Sequence, residues 1–208
     1  MGNREDLLAG AKRCLYEKGY ARTTARDIAT ASGVSLAAIG YHYRSKEALM
    51  NAALHQAMEE WGEEIERAFT TGAVAGATPA ERFAAAWDRV IESFTTHRPL
   101  WVTQFEIIAQ TDHLPEVREL LAAGVDAARL GLAELFQSIL DTGEEKEEQA
   151  AVGAFYQVML TGVLGQWLVA PERAPSGRDL AVALRAVAAN IAPAVGPDQA
   201  GQDGDGHA

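Results

Sequence analysis

Apolar residues recur at helical spacing along nearly the whole chain, and no run alternates in the β-branched manner of a strand. The pattern predicts nine helices. The first covers about residues 3–18, with Leu8, Ala11 and Leu15 on one stripe and Gly19 closing it. Thr24 is placed to cap a second helix, with Asp27 three positions on as a capping box, and Gly33 ends it. Ser35 caps a short third helix, about 35–43. Ser45 caps a fourth, running from Lys46 to about Phe69. The Gly/Ala/Thr-rich stretch 70–78 reads as a loop, and Pro79 opens a fifth helix over 79–96. The remaining helices are predicted at 99–110, 115–141, 144–169 and 177–192, separated by His97-Arg98-Pro99, Asp112-His113-Leu114-Pro115 and the Pro171/Pro175 segment.

The fold class is therefore all-α. An N-terminal three-helix helix-turn-helix domain occupies 1–47, a helical body 48–192, and a Gly/Asp/Gln-rich tail 193–208 that is expected to be disordered.

The second and third helices join across Ser32-Gly33-Val34, where glycine tolerates a positive φ. Ile28, Ala29, Val34 and Ile39 are spaced to close the unit, and Tyr43 reads as its aromatic core residue. That leaves Ala37, Ala38, Gly40, Tyr41 and His42 facing outward on the third helix. Small residues there would admit base edges and thymine methyls, and Tyr41 and His42 would reach phosphate. Arg26 could meet phosphate or a guanine edge, Thr24 and Arg44 the DNA backbone. Lys46 sits where a helix N-terminus adds its own attraction for an anion.

Net charge is −11, which alone argues against a nucleic-acid partner. Residues 1–50, however, hold eight Lys/Arg and five Asp/Glu, a net of +3, and leave −14 on the remainder. A basic head on an acidic body suits a chain that meets phosphate at one end only. The single Cys14 excludes an intrachain disulfide and fits a reducing cytoplasm. The N-terminus lacks the apolar run of a signal peptide, and no stretch reaches the roughly 18 uninterrupted apolar residues of a membrane span.

The head resembles the TetR family of transcriptional regulators through Gly19-Tyr20, Thr23-Thr24, Asp27-Ile28-Ala29, Gly33-Val34-Ser35, Ile39-Gly40-Tyr41-His42-Tyr43 and Ser45-Lys46-Glu47-Ala48-Leu49. The resemblance implies a homodimer on a palindromic double-stranded operator, usually a repressor released by a small ligand. It carries DNA-contact roles onto Thr24, Arg26, Ser35, Ala37, Tyr41, His42 and Lys46. Gly40 stands where many members have an aromatic residue. Beyond about residue 70 no motif matches, so no ligand identity is implied.

The body is rich in large aromatics. Their spacing and the resemblance together suggest an apolar pocket between helices five to eight, holding Trp87, Phe94, Trp101, Phe105 and Tyr156, with Gln104 among the polar residues that could orient a small, largely apolar effector. The same stripes would also serve as plain core. Small and apolar positions of the eighth helix (Ala150, Ala151, Gly153, Ala154, Gly162, Val163, Gly165) and ninth (Leu180, Ala181, Ala183, Leu184, Ala188) suit close helix packing. That packing could lie within one subunit or, as the resemblance implies, between two copies. No histidine pairs at metal-ligand spacing, and no nucleophile elbow or phosphate loop occurs. Neither a catalytic role nor a metal or other cofactor is expected. A helical interaction module or a helical enzyme without DNA binding remains the alternative.

Overall fold

The computed structural model describes residues 2–71, 76–109, 115–140 and 146–191. The expected tail, and parts of the 70–78 and 112–115 breaks, lie outside the described residues. Among the described residues the chain forms helices α1 (Asn3–Lys18), α2 (Ala25–Ser32), α3 (Leu36–Tyr43), α4 (Lys46–Thr71), α5 (Pro79–Thr96), α6 (Arg98–Ile108), α7 (Pro115–Leu140), α8 (Lys146–Val169) and α9 (Gly177–Ile191), with one 3-10 turn at Pro171–Arg173. The predicted order holds throughout, with boundaries moved by a residue or two.

Local chemistry sets the helix ends. Thr24 Oγ1 accepts from the Asp27 N–H at 3.2 Å, and the Asp27 carboxylate accepts from the Thr24 N–H at 2.9 Å, which completes the expected capping box. Thr78 with Glu81 repeats this arrangement at the start of α5. Ser45 Oγ accepts from the Ala48 N–H at 3.0 Å, as predicted for α4. Ser35 differs. It occupies the cap position of α3, but its hydroxyl makes no capping bond, and the backbone bond from the Ala38 N–H to the Ser35 carbonyl closes the turn. Gly33 is left-handed at φ +71°, the value the tight turn requires.

The head closes on α1. Leu7, Ala11, Cys14 and Leu15 are buried there with Ile28 of α2 and Ile39 of α3, whereas Leu8, expected on the central stripe, lies at its half-buried edge. The deepest contact is a glycine. A Cβ built on Gly10 would come within 2.8 Å of the Ser32 Cβ and 2.9 Å of the Ser32 backbone nitrogen, so α1 and α2 approach almost backbone to backbone. The long α4 then packs on α1 and α3 through its buried Leu49, Met50 and Ala53, and continues past them into the body.

In the body, α7 pairs with α8 and α9 packs on α5. Glycines set both crossings: a Cβ at Gly153 would lie 2.2 Å from the Arg129 carbonyl oxygen, and one at Gly177 would lie 2.0 Å from that of Ala84. The Gly177 N–H also donates to Asp88 Oδ1 at 2.7 Å. Several small or apolar residues named above as interface candidates therefore pack inside the subunit: Gly153 and Val163 are buried, and Leu180, Ala181 and Leu184 lie against the core. The opposite face of α8 is open, with Val158 71% and Val169 86% exposed. Apolar on both sides, the segment Glu148–Val169 is long and apolar enough to cross a membrane by length and composition, the same property that a helix buried on all sides would show.

Gly10→Ala should separate α1 from α2, because the atoms it meets are backbone and Cβ, which cannot rotate away. A loss of about 1–3 kcal/mol in urea unfolding is expected. Unchanged stability would show that the two helices slide apart at no cost.

Candidate nucleic-acid interface and aromatic body

Two short segments of the head leave candidate residues exposed. Arg26 lies at the start of α2 and is exposed, as are Ser35, Ala37, Gly40 and Tyr41 on and before α3. Ala37, Gly40 and Tyr41 stand at i, i+3 and i+4, one face of a helix. Tyr41 is 85% exposed, and His42 meets its ring edge-on with centroids 4.8 Å apart. A Cβ added at Gly40 would meet nothing within 4 Å, so glycine there leaves bare backbone beside Tyr41 and serves no packing need. Ala38, expected to face outward, packs instead against the core. Leu36, which periodicity did not single out, is 48% exposed on the same short helix.

The cations divide into two groups. Lys12 pairs with Glu60, Lys18 with Asp27, and the Arg13 guanidinium donates to the Ala31 carbonyl. Lys46 Nζ donates to the Thr23 carbonyl at 3.3 Å and faces the Glu47 carboxylate at 3.4 Å, so it is turned inward here rather than presented to solvent. Among the described residues, Arg26 and Arg44 are exposed and hold no ion pair. Arg44 also has φ +70°, a conformation that side-chain-bearing residues rarely adopt, at the bend between α3 and α4. Thr24 has committed its hydroxyl to Asp27. The Lys18 ammonium first, and the Thr24 hydroxyl and N–H after it, hold that carboxyl well below the usual carboxylate range. Tyr43 is not simply core: its hydroxyl donates to the Arg4 carbonyl at 2.9 Å, with the Arg4 guanidinium 5.7 Å from its ring centroid.

Head and body meet at one side-chain relay that sequence reasoning missed. His97 is the only residue between α5 and α6. Its Nδ1 lies 3.1 Å from the Tyr16 hydroxyl of α1, and its Nε2 lies 3.0 Å from Glu64 Oε2 of α4. Burial, then the nearby Glu60 and Glu64, push the Tyr16 phenol up; with His97 in its neutral Nε2–H tautomer the phenol donates to Nδ1 and the Nε2–H donates to the carboxylate. Only spatial packing joins residues 16, 64 and 97, and no sequence signal marks the group. Tyr20 adds a second tie, its hydroxyl donating to Asn51 Oδ1 at 2.6 Å.

The aromatics proposed as a single pocket form two clusters in space. Trp87 stacks on Phe136 at 5.7 Å, and Phe136 on Tyr156 at 4.0 Å, with Phe83 alongside. Phe94 and Trp101 instead meet Trp167 and Trp61 edge-on. The half-buried Phe105 packs toward α8, its ring 3.7 Å from a Cβ built on Gly165. Trp61 Nε1–H donates to Ser93 Oγ at 2.9 Å, but Trp87 Nε1, Trp101 Nε1, Thr103 Oγ1 and Gln104 Oε1 are buried without a hydrogen-bond partner. Among the described residues no three His, Cys, Asp or Glu side chains gather closely enough to hold a metal ion.

Comparison with known proteins fits this geometry. The family profile "Bacterial regulatory proteins, tetR family" matches residues 7–53, and "Tetracyclin repressor-like, C-terminal domain" matches residues 78–190. The chain is 27% identical over 175 residues, 81% of each chain, to the probable HTH-type transcriptional regulator ArpR of Pseudomonas putida, and equally to the HTH-type transcriptional regulator TtgR, also from Pseudomonas putida. A 56-residue stretch is 41% identical to the HTH-type transcriptional repressor Rv1474c of Mycobacterium tuberculosis, covering 27% of this chain and 30% of that one. A crystal structure of a TetR-family regulator from Mesorhizobium loti superposes with TM-score 0.63 at 17% identity, covering 90% of this chain and 96% of that one. The multidrug binding protein EbrR complexed with proflavin gives TM-score 0.60 at 21% identity, covering 88% and 99%.

Proposed function

The chain belongs to the tetR family of bacterial regulatory proteins and is a DNA-binding transcriptional regulator; from that premise we propose that it is a homodimeric repressor which a small effector releases from its operator. The observation that supports the DNA reading is that Arg26 at the start of α2 and Ser35, Ala37, Gly40 and Tyr41 on and before α3 are all exposed. Its small residues let α3 lie close to base edges, Arg26 supplies charge, and Tyr41 and His42 reach the flanking phosphates. Thr24, Arg44 and Lys46 complete the contact set. Lys46 serves only after leaving Thr23 and Glu47, a local rearrangement at the very start of α4. In this reading the head is 1–47 and the body 48–192. A repressor acts where the chromosome is, which places the protein in the cytoplasm, and nothing in the scheme calls for catalysis.

Two copies are needed to read a palindrome, and the recognition helices must then lie about one DNA turn apart, ~34–36 Å. The open faces of α8 and α9 provide the surface: Phe155, Val158 and Val169 on one, Val182, Val187 and Ile191 on the other, all exposed and apolar. Joining these faces between two subunits makes a four-helix interface and explains why α8 is apolar all round.

The effector site is assigned to the core between α5, α6, α7 and α8, with Trp87, Phe94, Trp101, Gln104, Phe105 and Tyr156 as its residues. Trp101 stands one turn from His97, whose carbonyl accepts the Trp101 N–H at 3.2 Å. A ligand that displaces Trp101 therefore moves α6 against the Tyr16–His97–Glu64 relay, and through it α1 and α4. The ligand acts only through its unequal affinity for the two arrangements.

Three results test this scheme. In a mobility-shift series against the DNA upstream of the chain's own gene, the wild type should bind in a salt-sensitive way. Arg26→Ala should weaken binding by about 1–3 kcal/mol and flatten the salt slope by about one; salt-insensitive or absent binding counts against the reading. Val158→Asp should be a monomer by light scattering at micromolar concentration and lose operator affinity, whereas a dimeric variant moves the interface elsewhere. His97→Ala should keep its affinity for a compound that releases the wild type, yet be released about fivefold less or weaker still. Unchanged release would remove His97 from the route.

A further inference from the structure

The core assigned to the effector contains polar atoms that the protein leaves unpaired, and they describe what is to be bound. Trp87 and Trp101 are each 1% exposed, and the indole N–H of each lacks an acceptor. An indole offers one donor and no second polar atom to turn toward a partner, so each site carries an uncompensated desolvation cost. The fold does satisfy such a group where it holds a partner: Trp61, packed edge-on to Trp101 with centroids 4.7 Å apart, donates to Ser93. Gln104 follows Trp101 by three positions on α6, on the same helical face, and its buried Oε1 lacks a donor. On the Trp101–Gln104 face of α6 there are thus one vacant donor and one vacant acceptor, with a second vacant donor on α5; Thr103, two positions from Trp101 and so on another face of α6, adds an unpaired hydroxyl.

Charge narrows the class further. Among the described residues, no Asp, Glu, Lys, Arg or His is in the buried core. A cation or an anion entering this core would find no buried counter-charge, and an unpaired buried ion is far costlier than an unpaired hydroxyl. Shape is set by the rings. Trp87 and Phe136 lie 27° from parallel, and Phe136 and Tyr156 18°, rings already in stacking contact, so a flat ring can extend this stack or replace a member but not enter between them.

Building on the effector-pocket reading above, we propose that the effector is an uncharged, flat aromatic compound bearing a hydroxyl or carbonyl oxygen, held between α5 and α6 with that oxygen accepting from Trp87 or Trp101. A hydroxyl serves best, since it accepts from the Trp101 indole and donates to Gln104 Oε1.

Equilibrium dialysis of the full chain at pH 7 against naphthalene, 2-naphthol, 2-naphthoate and proflavin tests this. The less apolar 2-naphthol should bind about tenfold tighter than naphthalene, the value of one well-placed hydrogen bond, and also tighter than either ionic probe. Trp101→Phe should remove most of that advantage while naphthalene binding stays within about twofold, the mark of a lost hydrogen bond rather than a lost pocket. Gln104→Leu, at a half-buried position, does the same for the donor arm and decides the matter should Trp101→Phe not fold. Equal affinity for naphthalene and 2-naphthol, or tightest binding of an ionic probe, overturns the proposal while leaving the effector pocket standing. If none of the four probes binds, the pocket reading fails, and the proposal with it.

Discussion

The arrangement of the molecule depends on where α1 lies. At Gly10 it approaches Ser32 so closely that no side chain fits between, which fixes α2 and, through the Gly33 turn, the direction of α3. Two turns further on, the same helix gives its Tyr16 hydroxyl to His97 at the joint of α5 and α6. One helix therefore packs on α2 and α3 of the head and also reaches the joint of α5 and α6. In the proposed scheme a shift of α6 would reach α1 through Tyr16 and α4 through Glu64.

The body is built differently. Its aromatic rings satisfy one another by stacking and edge contacts, while two indole donors and a glutamine oxygen stay unpaired in the dry interior. A core built only for stability would replace those groups with apolar ones of similar shape at little cost. Keeping them makes the packed, ligand-free arrangement less favourable than it could be. That lowers the free energy needed to open it, which is what a switch with two accessible states requires.

The head was legible because its signals are local. Thr24 with Asp27, Gly33 and Ser45 each act within four residues, and each was found where the sequence placed it. What could not be read depends on partners distant in sequence. Gly10 looks like one more small residue in a helical stripe until Ser32 is brought against it. Lys46 counts as a free cation until Thr23 and Glu47 are seen to hold it. The aromatic residues can be named from the sequence, but not how they sort in space. Their division into a Trp87–Phe136–Tyr156 stack and a Trp61–Phe94–Trp101–Trp167 cluster follows from helix crossings that no periodicity encodes. Gly153 was similarly visible as a small residue, but whether it faced a second subunit or this one was settled only by the Arg129 carbonyl lying against it.

The uneven charge gains meaning once the open faces of α8 and α9 are set beside it. A +3 head and a −14 body would orient a single copy on DNA, but weakly, because the intrachain pairs of Lys12, Lys18 and Lys46 leave few cations free. Joining two copies doubles the number of free arginines that face one duplex, and both acidic bodies then repel any approach except head first. Affinity then depends on how well the two heads fit the spacing of the half-sites more than on either head alone. In the proposed dimer that would make it sensitive to a small rotation passed through α1 and α4, and through this geometric leverage the body would control whether the head binds DNA.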